Sequence, residues 1–385
     1  MPGKALAVYS SQFFDYKFHD EHPFNPLRLK LWFELLEAMN IINPDDLIYP
    51  QPAAEEELLL VHSRDYVEAV KKASFGKLPE DPALYNLGTE DNPIFSKMHQ
   101  ATSLVVGGTL QAARLVMEGA AVHVLNMAGG LHHALEDRAS GFCIYNDAAV
   151  AIKWLRNTYK LKVMYIDVDA HHGDGVQWAF YKDPEVMTVS FHETGRYLFP
   201  GTGAVLERGL NEGYGYAVNV PLEPFTEDDS FIEALEQVLP ALMESFKPDI
   251  IVSQHGCDSH EYDPLTHLSL TTKGFSEGAK LIHQLAHQYC QGRWVALGGG
   301  GYELWRVVPR CWALLWGEMC ERPLSETLPA DWLRKWEKCA PLALPANLHD
   351  DPADFPPKPR REEISEKNRR TVIQALNRPV WSYLV

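Results

Sequence analysis

Two carboxylates and an imidazole fall within five residues in Asp167-Val168-Asp169-Ala170-His171, and the apolar run Val163-Met164-Tyr165-Ile166 leads directly into them. In an open parallel sheet, charge that begins where a buried strand stops lies at the ligand-binding edge. Asp169 and His171 are two positions apart, so on an extended backbone both side chains leave the same face and can reach one metal ion. Oxygen and nitrogen donors without sulfur suit zinc in a catalytic site, and also Fe(II), Co(II) or Mn(II). The competing reading is a helix that starts near Gly173 with aspartate caps and solvated histidines. One short motif does not separate the two.

Other segments do. The apolar stretch 122–126 is followed by Gly129-Gly130 and the adjacent pair His132 and His133. Imidazole titrates near neutral pH, so such a pair beside a metal-activated water can serve as general acid and base. Asp167 and Asp174 are available to bond the far ring nitrogens and fix the tautomers. An apolar strand over 250–253 runs on to Asp258, a third metal ligand that leaves one coordination position open. Alone, that aspartate would read as a turn or cap residue. Gly298-Gly299-Gly300-Gly301 lacks the Lys-Ser or Lys-Thr of a phosphate loop. It reads instead as a flexible backbone presenting the Tyr302 hydroxyl to a developing oxyanion. Gly141-Phe142-Cys143 and Leu198-Phe199 add aromatic rings for a narrow apolar tube. Cys143 and Cys257 read as small packing residues.

The elements that must position these residues alternate along the chain. Strands are predicted at 122–126, 163–167, 186–190, 250–253 and 294–297, with helices at 27–39, 101–118, 147–159, 228–246, 273–289 and 304–318. That order implies an α/β fold, a single large domain with a mostly parallel sheet between helical layers. The chemically loaded segments all follow strands, so five loops converge on one sheet edge. After about position 323 the chain becomes Pro-rich and charged, which reads as an extension over 323–385 beside a domain of 1–322, with a short helix at 371–376.

Composition bounds the rest. With 385 residues and 46% hydrophobic content the chain can bury a large core. Lys and Arg total 35 against 52 Asp and Glu, a formal charge of −17 that argues against nucleic-acid or anionic-membrane partners. Neither a signal peptide nor a membrane span is expected. Six cysteines without a C-x-x-C pair indicate neither a disulfide framework nor a thiolate zinc site, and a cytoplasmic setting is expected.

Taken in order, these motifs resemble the zinc-dependent histone deacetylase family of the arginase-deacetylase fold, and within it the bacterial acetoin-utilisation branch. The resemblance implies that Asp169, His171 and Asp258 hold Zn2+, with Fe2+ or Co2+ possible. It pairs His132 with Asp167 and His133 with Asp174, and gives Tyr302 the carbonyl. Phe142 and Phe199, with Gly141, would line an acyl-lysine channel, Asp91 would grip the substrate backbone at the rim, and Arg28 would lie near an acetate exit. Potassium or sodium would bind between Asp167, Ser190 and main-chain oxygens of Asp169, His171 and Phe191. A second monovalent site would use Phe180, Asp183, Val186 and Tyr216, although Asp183 stands where many relatives have threonine. Leu265 falls where acetylpolyamine-specialised members carry glutamate, which favours acetylated proteins as substrates. Deacetylation of small acetylated amines is the alternative. An arginase-type two-manganese hydrolase and a non-cleaving acetyl-binding module are the rivals; the ligand spacing argues against the first and the intact Tyr302 against the second.

Overall fold

The computed structural model describes residues 4–77 and 81–377; positions 378–385 of the expected extension lie outside the described residues. Eight strands form one sheet: β1 (Ala5–Val8), β2 (Leu47–Ile48), β3 (His123–Asn126), β4 (Val163–Asp167), β5 (Val186–Glu193), β6 (Ala217–Leu222), β7 (Ile250–Gln254) and β8 (Trp294–Leu297). Their order across the sheet is β2-β1-β3-β8-β7-β4-β5-β6, and every pairing is parallel. β3, β4, β5, β7 and β8 are buried along their whole length, which is why they read as continuous apolar runs rather than alternating ones. These five strands are neighbours in the centre of the sheet, and each carries one of the five chemically loaded loops at its C-terminal end.

The predicted helices are present with ends moved by a few residues. Asp147–Tyr159 and Asp228–Phe246 have the predicted bounds, and the former begins where the Asn146 side chain caps the Ala149 N–H. The predicted helix over 304–318 starts later, at Val308–Met319, because Pro309 belongs in a first turn and the Glu303 carboxylate takes the N–H of Arg306 at 3.0 Å. In the C-terminal stretch the short helix expected at 371–376 is the end of Arg361–Leu376. It lies against β6 and Asp228–Phe246, and its buried Asn368 donates to Thr226 Oγ1 and Ser230 Oγ while accepting the Glu223 N–H. All six cysteines are free thiols. No helix among the described residues is long and apolar enough to cross a membrane.

Candidate active site

Asp167 ends β4, and the next four residues carry Asp169 and His171 into the edge loop; Asp258 arrives from the loop after β7. His171 Nδ1 stands 2.8 Å from Asp258 Oδ2 and 3.1 Å from Asp169 Oδ1. The three side chains are buried, and their ligand atoms lie within 4.8 Å of one another. Main chain fixes the carboxylates from behind. Asp169 Oδ2 accepts from Gly300 N at 2.7 Å and from Gln254 Nε2 at 3.1 Å, and Asp258 Oδ1 accepts from Ala170 N at 2.9 Å. Burial raises the Asp258 carboxyl to about 6, with the neighbouring Asp169 charge adding to the effect. Two buried like charges around one imidazole require a cation for neutrality. One nitrogen and two oxygens facing a common point fit a divalent metal with an open position.

The glycines of 298–301 serve close approach more than flexibility. A Cβ on Gly300 would fall 2.0 Å from Asp258 Oδ2, and one on Gly299 would strike Gln254 Nε2 at 2.5 Å. Gly299 and Gly301 adopt φ values of 134° and 136°, which side-chain-bearing residues rarely tolerate. The loop therefore brings the Gly300 N–H onto the Asp169 carboxylate and delivers Tyr302 beside it.

Each of the tandem histidines is bonded to a carboxylate. Asp167 Oδ2 accepts from His132 Nδ1 at 2.8 Å and Asp174 Oδ1 from His133 Nδ1 at 2.7 Å, while the two Nε2 atoms stand 3.0 Å apart. Burial opposes charge on both rings, yet their balances differ. Asp167 and Asp169 overcome it for His132, raised to about 9, whereas the His132 charge adds to it for His133, held at about 4. The two rings are thus shifted in opposite directions, the separation that acid–base pairs use.

A cavity of about 220 Å³ opens over this cluster, lined by Asp91, His133, Gly141, Phe142, His171, Leu198, Phe199, Leu265 and Tyr302. Phe199 packs edge-on to His133 at 5.0 Å and Phe142 edge-on to Tyr302 at 5.8 Å. Asp91 is exposed at the mouth and Tyr302 is half-buried. Gly141 is required here, since a Cβ would meet the His133 ring at 2.5 Å. Arg28 is buried, donates to Gly301 O at 3.1 Å and lies over the Phe24 and Trp312 rings.

Of the monovalent-cation residues, Asp167 and Ser190 are register partners on β4 and β5, and Ser190 Oγ is 2.8 Å from His192 Nδ1. In the second set, the Asp183 N–H donates to Phe180 O and the Tyr216 carbonyl accepts from Thr188 N, while the Asp183 carboxylate lies 3.6 Å from Arg156.

Three positioning residues were not singled out from sequence. Asp147 accepts from Gly130 N and Leu131 N and from Thr109 Oγ1, holding the histidine loop. Gln254 links Asp169 to Gly130 O. Asp263 accepts from Tyr302 N at 2.7 Å and Leu265 N at 3.0 Å, tying two cavity walls together. A polar residue ending or following a buried strand was the available signal, but turns and caps share it.

A histone deacetylase domain model matches residues 22–319. The chain belongs to the histone deacetylase family. It is 55% identical over 374 residues to the acetoin utilization protein AcuC of Bacillus subtilis (strain 168), covering 97% of this chain and 96% of that relative. The AcuC of Staphylococcus aureus (strain MRSA252) is 47% identical over 372 residues, covering 96% of each. Among solved structures, an HDAC homolog complexed with SAHA superposes with a TM-score of 0.87 at 32% identity, and an HDAC homolog from Aquifex aeolicus with 0.86 at 32%. Each match covers 96% of this chain and 100% of the other. The family places the chain among hydrolytic deacetylases of the arginase-deacetylase fold, in the acetoin-utilisation branch.

Proposed function

We propose that this deacetylase hydrolyses N6-acetyl-lysine side chains of proteins, releasing acetate and free lysine. The observation that carries this reading is the narrow cavity, which has aromatic walls at Phe142 and Phe199, an exposed carboxylate at Asp91, and His133, His171 and Tyr302 at its base. A methylene chain would lie against these rings, and Asp91 would accept main-chain N–H groups of a bound peptide. Asp169, His171 and Asp258 would hold the metal, most simply Zn2+ with Fe2+ or Co2+ as alternatives, and when bound it supplies Lewis acidity toward the acetyl carbonyl and a lowered pKa for water.

The chain's own groups do the rest. His133 is the ring of the pair that lines the cavity, and Asp174 holds its Nδ1 proton. Its Nε2, 3.0 Å from His132 Nε2, would take a proton from the attacking water and return it to the departing lysine amine. His132, bonded to Asp167, which favours its charged form, stands behind His133. The Tyr302 hydroxyl donates to the oxygen that gains charge. Asp167, Ser190 and the neighbouring carbonyls are assigned to K+ or Na+, and the reaction to the cytoplasm.

The test compares an acetyl-lysine peptide with N-acetylputrescine. Turnover of the peptide, with Tyr302→Phe lowering kcat by about two to three orders of magnitude, is expected. Preferred turnover of the small amine, or parent-rate hydrolysis by the variant, would refute the substrate class or the tyrosine's role respectively.

A further inference from the structure

At the opposite end of the strands from the catalytic loops, three imidazoles meet. His123 opens β3 and is the register partner of Trp294 at the start of β8. His283 and His287 lie one turn apart on the helix Thr272–Cys290. Their three Nε2 atoms form a triangle whose every edge is 3.1 Å. Each such nitrogen carries either a proton or a lone pair. In a ring of three, at least one edge therefore joins two protons or two lone pairs, and hydrogen bonding cannot satisfy the arrangement.

A cation can. A point about 2.0–2.1 Å from each nitrogen, the usual zinc–imidazole distance, lies roughly 1 Å out of their plane with N–metal–N angles of about 98°. The surroundings prepare the rings for it. Glu318 Oε1 accepts from His283 Nδ1 at 2.7 Å, which puts that ring's proton on Nδ1 and its lone pair on Nε2. Trp294 stacks on His283 at 5.7 Å and meets His123 edge-on at 5.5 Å. Gly292, at φ 78°, lets the chain close over the helix end, where a Cβ would come within 3.1 Å of the His287 ring. His123 and His283 are buried and His287 is exposed, so one side of the triangle faces solvent.

We propose that His123, His283 and His287 form a second transition-metal site, separate from the catalytic cluster, in which three imidazole nitrogens leave a fourth position to water. Zn2+ is the ion that three nitrogens and an open position suit, with Co2+ a spectroscopic substitute. Bound there, it would clip the start of β3 to the end of Thr272–Cys290. The proposal does not depend on the deacetylase reading.

The test uses untagged full-length chain carrying Asp258→Ala, which removes one ligand of the other cluster, stripped with chelator and titrated with Co2+. One equivalent should bind with Kd below about 10 μM, with visible d–d absorption, and adding His287→Ala should weaken binding at least about thirtyfold and abolish the band. Equal Co2+ affinity with and without His287→Ala would overturn the site. His287 is exposed, so its removal spares the core, and circular dichroism of the metal-free variants checks this. In the chain with Asp258 intact, His287→Ala should lower tightly held Zn2+ by one equivalent while acetyl-lysine turnover stays unchanged. An unchanged Zn2+ content would also overturn the proposal. A chain that bound Co2+ through His287 yet cut no acetyl-lysine would leave this site standing and the substrate reading fallen.

Discussion

Gly300 shows how closely the active site is built at the scale of single atoms. Its missing Cβ leaves room for Asp258, and its N–H bonds Asp169, so one residue shapes two of the three metal-facing groups. Gly300→Ala must push the Asp258 carboxylate or the loop aside. Metal affinity is expected to drop at least about tenfold, the scale on which disturbed supporting contacts weaken metal sites. Thermal stability of the metal-free chain should change far less. Isothermal titration with Zn2+ and a melting curve of the stripped protein measure both, and unaltered Zn2+ affinity would remove the close-approach role. Of the site residues named from sequence, Asp91, His133, Gly141, Phe142, His171, Phe199, Leu265 and Tyr302 line one cavity, and Asp169 and Asp258 stand beside His171. All but Asp91 were legible because each follows a buried strand, and their order along the chain carries a family resemblance. Asp147, Gln254 and Asp263 were not, since their partners are backbone groups far along the chain and no spacing announces them.

At the scale of elements, the C-terminal helix Arg361–Leu376 rests on one buried asparagine. Asn368 satisfies Glu223 N, Thr226 Oγ1 and Ser230 Oγ, and Val372 and Ala375 are the only apolar residues of this helix that are buried, at spacings of four and three. Asn368→Ala removes the partner of Glu223 N and Ser230 Oγ, while Thr226 Oγ1 keeps its bond to Glu223 O, at a cost of about 1–3 kcal/mol. Urea unfolding should register that loss while kcat on an acetyl-lysine peptide stays within about twofold, because the helix lies beyond β6 and away from the cavity. A fall in kcat matching the loss of stability would mean that this helix supports the site. The same sparse apolar face explains why only the end of the helix was read from sequence. β6 was missed for a related reason. Pro221 interrupts an otherwise strand-like run, and it is tolerated because β6 is an edge strand paired only to β5. β1 and β2, at four and two residues, are too short for periodicity to speak. Arg64–Ser74 was legible and unread: Ser63 caps it, and Tyr66, Val67, Val70 and Ala73 follow helical spacing.

The whole molecule keeps a set of histidines neutral in its interior, and this couples its stability to pH. His62, His172 and His255 are buried and held at about 4, about 3 and about 3, chiefly by loss of solvent. Asp258 and Asp263, raised to about 6 and about 8 by burial, act in the opposite sense, so the net slope mixes signs. A single group can be isolated by difference. His62 Nδ1 donates to Leu135 O at 2.9 Å, and its Nε2 accepts from Asn146 N at 3.0 Å, so the neutral ring ties the histidine loop to the start of Asp147–Tyr159. Below about 6.5 the unfolded chain protonates His62 while the folded chain does not until about 4. Its contribution is fully present above 6.5 and is lost as pH falls toward 4. The stability gap between the parent and His62→Gln should therefore narrow by about 1.4 kcal/mol for each pH unit below 6.5. Urea unfolding of both proteins at pH 7, 6 and 5 measures the gap, and a gap that stays constant across that series would mean that His62 is protonated in the folded chain as readily as in the unfolded one.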